Sequence, residues 1–230
     1  MEHLLMSMAE DFSDKKEKIN MLMDELIEKH GNPFESGQWK LWCKRPKTIR
    51  DRETVIIESI LTQRTNWSNV EKSIRNLRSK KLLSLSKILK CPTEVLEKEI
   101  KSSGFARQKA LRIKNIAKFF IYEMKGLKSA MKMEKDYLRN KLLGIHGIGE
   151  ETADDILLYA LDKPVFVIDQ YTKRFVRQHN IAEKTSYNYL QKLFEFSVKK
   201  DYKIYQDYHA LIIIEMKGKN AKKGNSNIYA

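Results

Sequence analysis

Apolar residues spaced three and four positions apart recur along the chain, and this spacing constrains the fold more than any other feature. It is the spacing of one face of an α-helix, while no segment shows the apolar and polar alternation of a half-buried β-strand. The helical spacing occurs in Ile19–Ile27, Val55–Leu61, Val70–Leu77, Leu111–Phe120, Tyr137–Leu143, Ile156–Leu161, Tyr189–Val198 and Tyr205–Ile214. The sequence therefore predicts an all-α protein of about ten helices.

The composition adds a strong positive charge to this helical pattern. The chain has 230 residues, 42% of them hydrophobic, which is enough for one globule or two small packed lobes. Its 44 Lys and Arg residues exceed its 30 Asp and Glu residues and give a formal charge of +14. Such a surplus favours a polyanionic partner, because clustered cations gain free energy by releasing counterions from a phosphate backbone. The charge alone leaves DNA, RNA and an acidic membrane open.

Several classes of protein are not expected. The longest apolar runs, such as Leu211–Ile214, are far shorter than the roughly 20 residues that cross a bilayer. The N-terminal segment, with Glu2 and Glu10, lacks the basic and then apolar pattern of a signal peptide. The two cysteines, Cys43 and Cys91, provide no disulfide framework and too few thiolates for an iron–sulfur or four-cysteine zinc site. We therefore expect no membrane association and a reducing, intracellular environment.

A glycine-rich segment, residues 142–153, lies between two helical patterns and reads Leu-Leu-Gly-Ile-His-Gly-Ile-Gly-Glu-Glu-Thr-Ala. Glycine permits a positive φ and close backbone approach, so two glycines around one isoleucine favour a tight hairpin. The helix that follows, residues 151–161, would direct its free N–H groups towards an anion such as a phosphate. A plain helix C-cap followed by an N-cap is the alternative. The residues assigned to this anion-binding hairpin are Gly147, Ile148, Gly149 and Thr152.

A second motif follows about twenty residues later, at Val165–Arg174, and reads Val-Phe-Val-Ile-Asp-Gln-Tyr-Thr-Lys-Arg. Together, the two motifs resemble the helix-hairpin-helix DNA glycosylases of the endonuclease III superfamily. Further segments extend the resemblance over residues 20–216: Ile60–Trp67 is similar to the family's early helix and DNA-wedging loop, Ser103–Ala110 to its Gly-Phe/Tyr-x-x-Lys-Ala segment, and Tyr208–Leu211 to its final helix.

The resemblance implies two helical lobes with a central cleft and a helix-hairpin-helix. The discontinuous terminal-helix lobe would comprise residues 1–45 and 164–230, and the middle lobe, residues 46–163, would end in the hairpin. A damaged nucleotide would be flipped out of double-stranded DNA into the cleft, where its glycosidic bond can be reached. The basic segment from Lys217 onwards is expected to be a loose tail.

Asp169 matches the family's catalytic aspartate. Without the resemblance, it would be interpreted as the N-cap of the helix that begins at Gln170, and the two roles are compatible. An ionised aspartate can stabilise an oxocarbenium-like sugar and orient or deprotonate water as the base departs.

Glu151 occupies the position at which bifunctional relatives have a lysine. That lysine forms a Schiff base and permits strand cleavage, whereas a glutamate cannot form an imine. The resemblance therefore implies a monofunctional hydrolase. Glutamate here is similar to the bacterial endonuclease III-type 3-methyladenine DNA glycosylases, in which Glu151 would line the base pocket. The alternative is that Glu150 and Glu151 only stabilise the first helical turn.

The resemblance also suggests residues for the base pocket and for contacts with DNA. A cationic alkylated purine is a good leaving group, and an electron-rich aromatic pocket would hold it. The expected pocket residues are Trp39, Trp42 and Trp67, with ordinary packing as the alternative for Trp39 and Trp42. Gln63 is the expected DNA wedge. Residues expected to bind DNA outside the hairpin are Gly104, Arg107 and Lys109, although each cation, taken alone, is more often a solvated surface charge.

The resulting hypothesis is a base-excision DNA glycosylase without lyase activity that acts on damaged, N-alkylated purines of the 3-methyladenine type. The alternatives are a glycosylase for mismatched or deaminated bases and a non-catalytic helix-hairpin-helix DNA-binding protein. Residues 215–223 contain none of the four cysteines that hold an iron–sulfur cluster in many relatives. We therefore expect no cofactor, save for a monovalent cation that the hairpin could bind. The protein is expected to be a monomer, cytoplasmic and associated with the nucleoid.

Overall fold

The computed structural model describes residues 2–35 and 37–225, and their side chains over residues 11–35 and 37–218. The described residues form helices and connecting segments without a β-strand, which confirms the predicted all-α class. None of the described helices combines the length and the apolar character needed to span a membrane. Two compact units divide the chain. The terminal unit comprises Met1–Cys43 and Pro164–Ala230, and the middle unit comprises Lys44–Lys163.

The helices are more numerous and several are shorter than the apolar spacing predicts. In chain order the α-helices are α1 (Glu2–His30), α2 (Trp39–Trp42), α3 (Ile49–Leu61), α4 (Trp67–Ser79), α5 (Leu85–Lys90), α6 (Thr93–Glu99), α7 (Ala106–Lys118), α8 (Leu127–Ala130), α9 (Lys135–Leu143), α10 (Glu150–Asp155), α11 (Gln170–Gln178), α12 (Tyr187–Ser197) and α13 (Tyr202–Asn225). Short 3-10 turns are formed by Pro33–Glu35 and Lys101–Ser103. The π-helical segments Phe119–Glu123 and Ile156–Ala160 continue α7 and α10. The loose tail expected from Lys217 onwards is helical as far as Asn225, because α13 extends to that residue. Residues 226–230 lie outside the described part.

Aromatic rings fill the core of the terminal unit. The ring of Phe166 stacks on Phe194 at a centroid distance of 4.5 Å and meets Tyr205 and Tyr208 edge-on. Helix α1 packs against α12 and α13, and the buried hydroxyl of Tyr208 donates a 2.9 Å hydrogen bond to the Ile19 carbonyl. These contacts place α13 beside the segment that precedes α11.

That segment, residues 165–168, is buried although it belongs to no helix or sheet. Buried main-chain groups need hydrogen-bond partners, and side chains of α12 supply them. The Phe166 amide donates to Glu195 at 3.0 Å, and Gln191 donates to the Phe166 carbonyl at 2.8 Å. An irregular apolar segment is thereby fixed in place immediately before Asp169.

Helix α3 is the centre of the middle unit. Residues 54–61 are all buried, and the helix packs against α7 and the π-helical segment Ile156–Ala160. A capping box between Thr48 and Asp51 starts the helix. Arg52 then donates to the Ala160 carbonyl at 2.5 Å and to Asp162 at 2.6 Å. The beginning of α3 is thus tied to the end of the π-helical segment within one unit.

The position of Lys109 corrects the expectation that this residue binds DNA. Its side chain is fully buried, and its ammonium donates to the carbonyls of Leu61 and Ser103, each at 2.7 Å. An ammonium enclosed in this way cannot reach a phosphate. It joins the end of α3 to the Lys101–Ser103 turn, so its role is to hold the middle unit together.

Burial of Lys109 makes the stability of the fold depend on pH. Desolvation, with a smaller contribution from Arg112, lowers the pKa of Lys109 to about 8. Because the unfolded chain keeps this proton up to about pH 10.5, the folded state gains stability as the pH rises from 8 to 10. Relative to Lys109→Met, the wild-type protein should gain about 2 kcal/mol in free energy of unfolding over that interval. Denaturant unfolding at several pH values measures the difference, and parallel pH profiles for the two proteins would contradict it.

Candidate functional site

The glycine-rich segment forms the hairpin that its sequence predicts. Helix α9 ends at Leu143 with Gly144 as its C-cap, the Ile148 amide donates to the Ile145 carbonyl at 3.0 Å, and Gly149 is the N-cap of α10. Ile148 is buried, and Gly147 has a φ of +87°. The first turn of α10 directs its amides out of the helix end, and such amides favour an anion.

An ion pair joins the two helices that flank the hairpin. Arg139 of α9 contacts both carboxylate oxygens of Asp154 of α10, at 2.7 and 2.9 Å. Asp154 is fully buried, so its charge is compensated inside the unit rather than presented to solvent. The same guanidinium lies 3.8 Å from Glu150, whereas Glu151 is exposed. Of the acids near the hairpin, Asp154 therefore stabilises the fold, and Glu151 remains on the surface.

The side chain of Gln63, the expected DNA wedge, is bound to the hairpin. Its amide nitrogen donates to the Gly147 carbonyl at 3.2 Å and to the Thr152 hydroxyl at 3.0 Å. Its amide oxygen accepts a 2.6 Å hydrogen bond from Arg112 of α7. The segment after α3, α7 and the hairpin are therefore joined by one polar network within the middle unit. Sequence reasoning missed Arg112, although it lies one helical turn after the inward-facing Lys109.

Arg112 also lies directly against Gly147. A Cβ atom at this position would lie 2.3 Å from Arg112 Nε and 2.8 Å from its Cγ and Cδ atoms. Both the positive φ and the neighbouring side chain therefore require a glycine here. At Gly149, by contrast, a Cβ would meet open space.

The loop that contains Gly104 has an unusual backbone conformation. Gly104 has a φ of +71°, and Phe105 follows in the left-handed region with a φ of 48°. Gly104, Phe105 and Arg107 are exposed, so Arg107 remains available for a phosphate, in contrast to the buried Lys109.

Asp169 is held at the start of α11 by one of its two carboxylate oxygens. Its Oδ1 accepts hydrogen bonds from the Thr172 amide at 2.7 Å and the Thr172 hydroxyl at 3.0 Å. Its Oδ2 lies 3.8 Å from Nε2 of His209 on α13. One oxygen therefore fixes the carboxylate and the other faces His209, which the apolar pattern of its helix favours as a core histidine rather than a catalyst.

His209 connects Asp169 to one of the predicted pocket tryptophans. Its ring lies 6.4 Å from Trp39 and 6.3 Å from Phe166, edge-on in both cases. Burial lowers the pKa of His209, while the nearby Asp169 charge raises it to a smaller extent. The imidazole is thus neutral at neutral pH, and the Asp169 charge has no imidazolium beside it.

The predicted pocket residues fall into the two units. Trp39 and Trp42 are both buried in the terminal unit and contact each other edge-on at 6.0 Å. Trp67 begins α4 in the middle unit and is half-buried. Glu151 is in the middle unit with the hairpin. Asp169, His209 and Trp39 are therefore brought together, and Trp42 adjoins this group through Trp39.

Metal ligands are not grouped in the part of the chain that the structure describes. No three His, Cys, Asp or Glu side chains there lie close enough to hold an ion. Cys43 and Cys91 are buried thiols that form no disulfide.

Comparison with known proteins places this geometry in context. The model of the HhH-GPD superfamily base excision DNA repair protein matches residues 57–200. A Methanocaldococcus jannaschii protein, whose name assigns it to the DNA repair glycosylases, is 46% identical over 165 residues, 70% of this chain and 75% of its own. The thymine/uracil-DNA glycosylase of Methanothermobacter thermautotrophicus is 27% identical over 90% of this chain and 96% of its own. The crystal structure of H. pylori 3-methyladenine DNA glycosylase (MagIII) bound to 1,N6-ethenoadenine has a TM-score of 0.70 and 24% identity, covering 91% of this chain and 98% of that one.

Gly147→Ala should destabilise the middle unit. An alanine at this position is strained by the left-handed φ, and its methyl group overlaps with Arg112. We therefore expect a loss of about 2 kcal/mol or more in free energy of unfolding. The matched control is Gly149→Ala, for which about 1 kcal/mol or less is expected because its Cβ meets no atom. Chemical denaturation measures both variants, and equal losses would contradict the role assigned to the Arg112 contact.

His209 should make the terminal unit sensitive to acid. The unfolded chain takes up a proton near pH 6.5 that the buried imidazole resists, so stability falls as the pH drops below that value. His209→Gln removes this loss, so the wild-type protein should lose stability relative to the variant as the pH is lowered from 7.5 to 5. Unfolding free energies between pH 5 and pH 7.5 test this. An identical pH dependence in both proteins would refute it, and His146→Gln, which removes an exposed imidazole, is the control.

Proposed function

The chain belongs to the HhH-GPD superfamily of base excision DNA repair proteins, and from this membership we propose that it is a monofunctional DNA glycosylase for N-alkylated purines of the 3-methyladenine type. Its activity as a DNA glycosylase follows from the family and from its 46% identity to a DNA repair glycosylase. The reaction type and the lesion are the proposal.

The held carboxylate of Asp169 is the observation that carries the proposal. Two hydrogen bonds from Thr172 fix Oδ1, which leaves Oδ2 as the oxygen that can act on substrate. Because the adjacent His209 is neutral, this imidazole does not offset the negative charge. A fixed carboxylate in a largely water-excluded setting can stabilise the positive charge that develops on the sugar as the glycosidic bond breaks. It can also orient the attacking water.

Glu151 supports hydrolysis without strand cleavage. A lyase needs an amine that attacks the sugar C1′ carbon and forms an imine, and a carboxylate cannot do so. Glu151 is exposed at the first turn of α10, where the hairpin would hold the DNA backbone. The chain has no lysine at the hairpin position that supplies this amine in bifunctional relatives.

The lesion is inferred from the chemistry that the site can provide. A 3-methyladenine carries a positive charge and leaves readily, so it needs little help from a general acid. His209 beside Asp169 is held neutral and so supplies no protonated acid. Its neighbour Trp39, with ring centroids 6.4 Å apart, is an electron-rich indole. The H. pylori 3-methyladenine DNA glycosylase of similar fold, which was crystallised with 1,N6-ethenoadenine, supports this choice of lesion.

A second candidate is a bifunctional enzyme that uses a different amine. Lys217 on α13 is close enough to Asp169 for a charge interaction, and its ammonium lies 5.5 Å from the Tyr171 ring centroid. This amine could attack C1′ in place of the missing hairpin lysine. Borohydride reduction distinguishes the two candidates, because only an imine can be trapped as a stable protein–DNA adduct.

Base release from duplex oligonucleotides tests the hydrolase. The substrates carry 3-methyladenine, 1,N6-ethenoadenine, or thymine or uracil opposite guanine. We expect release of the alkylated purines, and a kcat at least about 100-fold lower for Asp169→Asn, since asparagine still caps α11 but lacks the charge. Asp201→Asn, which alters another helix-start aspartate of the terminal unit, is the matched control. DNA binding without release of any lesion would reject the enzyme and leave a binding protein.

Borohydride trapping tests the reaction type. The wild-type protein should yield no adduct, whereas Glu151→Lys should yield one, because it restores an amine at the hairpin. A wild-type adduct that disappears in Lys217→Ala would establish the bifunctional candidate instead.

A further inference from the structure

Arg112 is the residue on which the hairpin network of the middle unit converges. Its guanidinium donates to Gln63 at 2.6 Å, and Gln63 in turn donates to the Gly147 carbonyl and the Thr152 hydroxyl. The Gln63 amide is thus oriented unambiguously, because its oxygen accepts from an arginine that can only donate. Two points of the hairpin, one before and one after Gly149, are fixed by this single side chain.

Arg112 is linked to the hairpin through Gln63, and it also contacts the hairpin directly at Gly147. The arginine Cγ, Cδ and Nε atoms fill the space that a Cβ at residue 147 would need. The guanidinium stem therefore packs on the hairpin backbone while its NH1 group orients Gln63. Helix α7 and the hairpin cannot move relative to each other without breaking one of these contacts.

The charge of Arg112 is not compensated within the described residues. No carboxylate forms an ion pair with it, and its hydrogen-bond acceptor is a neutral amide. A neighbouring charge, that of Lys109, is of the same sign, and the repulsion from Arg112 contributes to lowering the pKa of Lys109. A half-buried, uncompensated cation beside the outward amides of a helix start attracts an anion.

We propose that Arg112 is the positioning residue of the DNA-binding hairpin and that it supplies the positive charge for the phosphate bound there. Gln63 acts with it as a positioning residue that holds the hairpin, rather than solely as a wedge between base pairs. The inference rests on the proposed function only in taking duplex DNA as the ligand.

Hydrogen–deuterium exchange of the free protein tests the positioning role without any DNA. Arg112→Met and Gln63→Leu should each speed exchange in the peptide that spans residues 144–153. Arg50→Met is the matched control: this exposed arginine lies at the opposite end of α3, about 16 Å along the helix axis from Leu61. Unchanged protection of the hairpin in both variants would overturn the proposal, whatever the DNA-binding data show.

Binding of undamaged duplex DNA at several salt concentrations tests the charge. Arg112→Met should weaken binding about tenfold and reduce the slope of log K against log salt by about one. Arg112→Lys should retain the slope but not the full affinity, because lysine lacks the guanidinium geometry. Gln63→Leu should weaken binding with an unchanged slope. An Arg112→Met slope equal to that of the wild-type protein would reject the phosphate contact.

A double-mutant cycle distinguishes positioning from wedging. If Arg112 acts partly through Gln63, the double variant should lose less affinity for undamaged duplex than the sum of the single losses. If Gln63 is solely a wedge, Gln63→Leu should bind undamaged duplex as the wild-type protein does and only slow base release, which would contradict the proposal. The cycle does not depend on catalysis: these binding effects without release of any lesion would uphold Arg112 and reject the glycosylase.

Discussion

The functional segments of this protein lie where helices stop, so their stability depends on side chains that satisfy buried main-chain groups. A helix satisfies its own amides and carbonyls, but a buried turn cannot. Lys109 fills this need at the end of α3, Gln63 at Gly147, and Glu195 with Gln191 on either side of Phe166. Removing one of these partners would leave a polar group without its bond inside the protein, at a cost of about 1–3 kcal/mol.

The same constraint explains how Asp169 can be both structural and reactive. Its Oδ1 satisfies the start of α11, and the Glu195 and Gln191 bonds fix the irregular segment before it. The carboxylate thus has little freedom to turn, and Oδ2 keeps one orientation. A neutral His209 at 3.8 Å occupies space beside this oxygen without cancelling its charge. Pre-organisation of this kind lowers the reorganisation needed when positive charge develops on a substrate.

Sequence reasoning succeeded where a local pattern determines the structure. The all-α class follows from the apolar spacing, the hairpin from glycines at residues 147 and 149, and the capping role of Asp169 from its position before a helix. The contacts of Gln63 and Lys109 were not predictable in this way, because they join residues far apart in the chain, 84 positions in the case of Gln63 and Gly147. For His209 a signal was present, since it shares a helix face with Tyr205 and Ile212, and this spacing indicates burial.

The charges around the hairpin are compatible with phosphate binding only when the cation of helix α7 is included. Two glutamates and two aspartates follow Gly149, which would repel a phosphate if all four faced it. Asp154 is neutralised inside the unit by Arg139, and Glu150 lies near the same guanidinium. Arg112 pairs with no carboxylate among the described residues and lies against Gly147. A cation that lies against the hairpin backbone therefore comes from a different helix, and glycine at residue 147 is what allows it to approach.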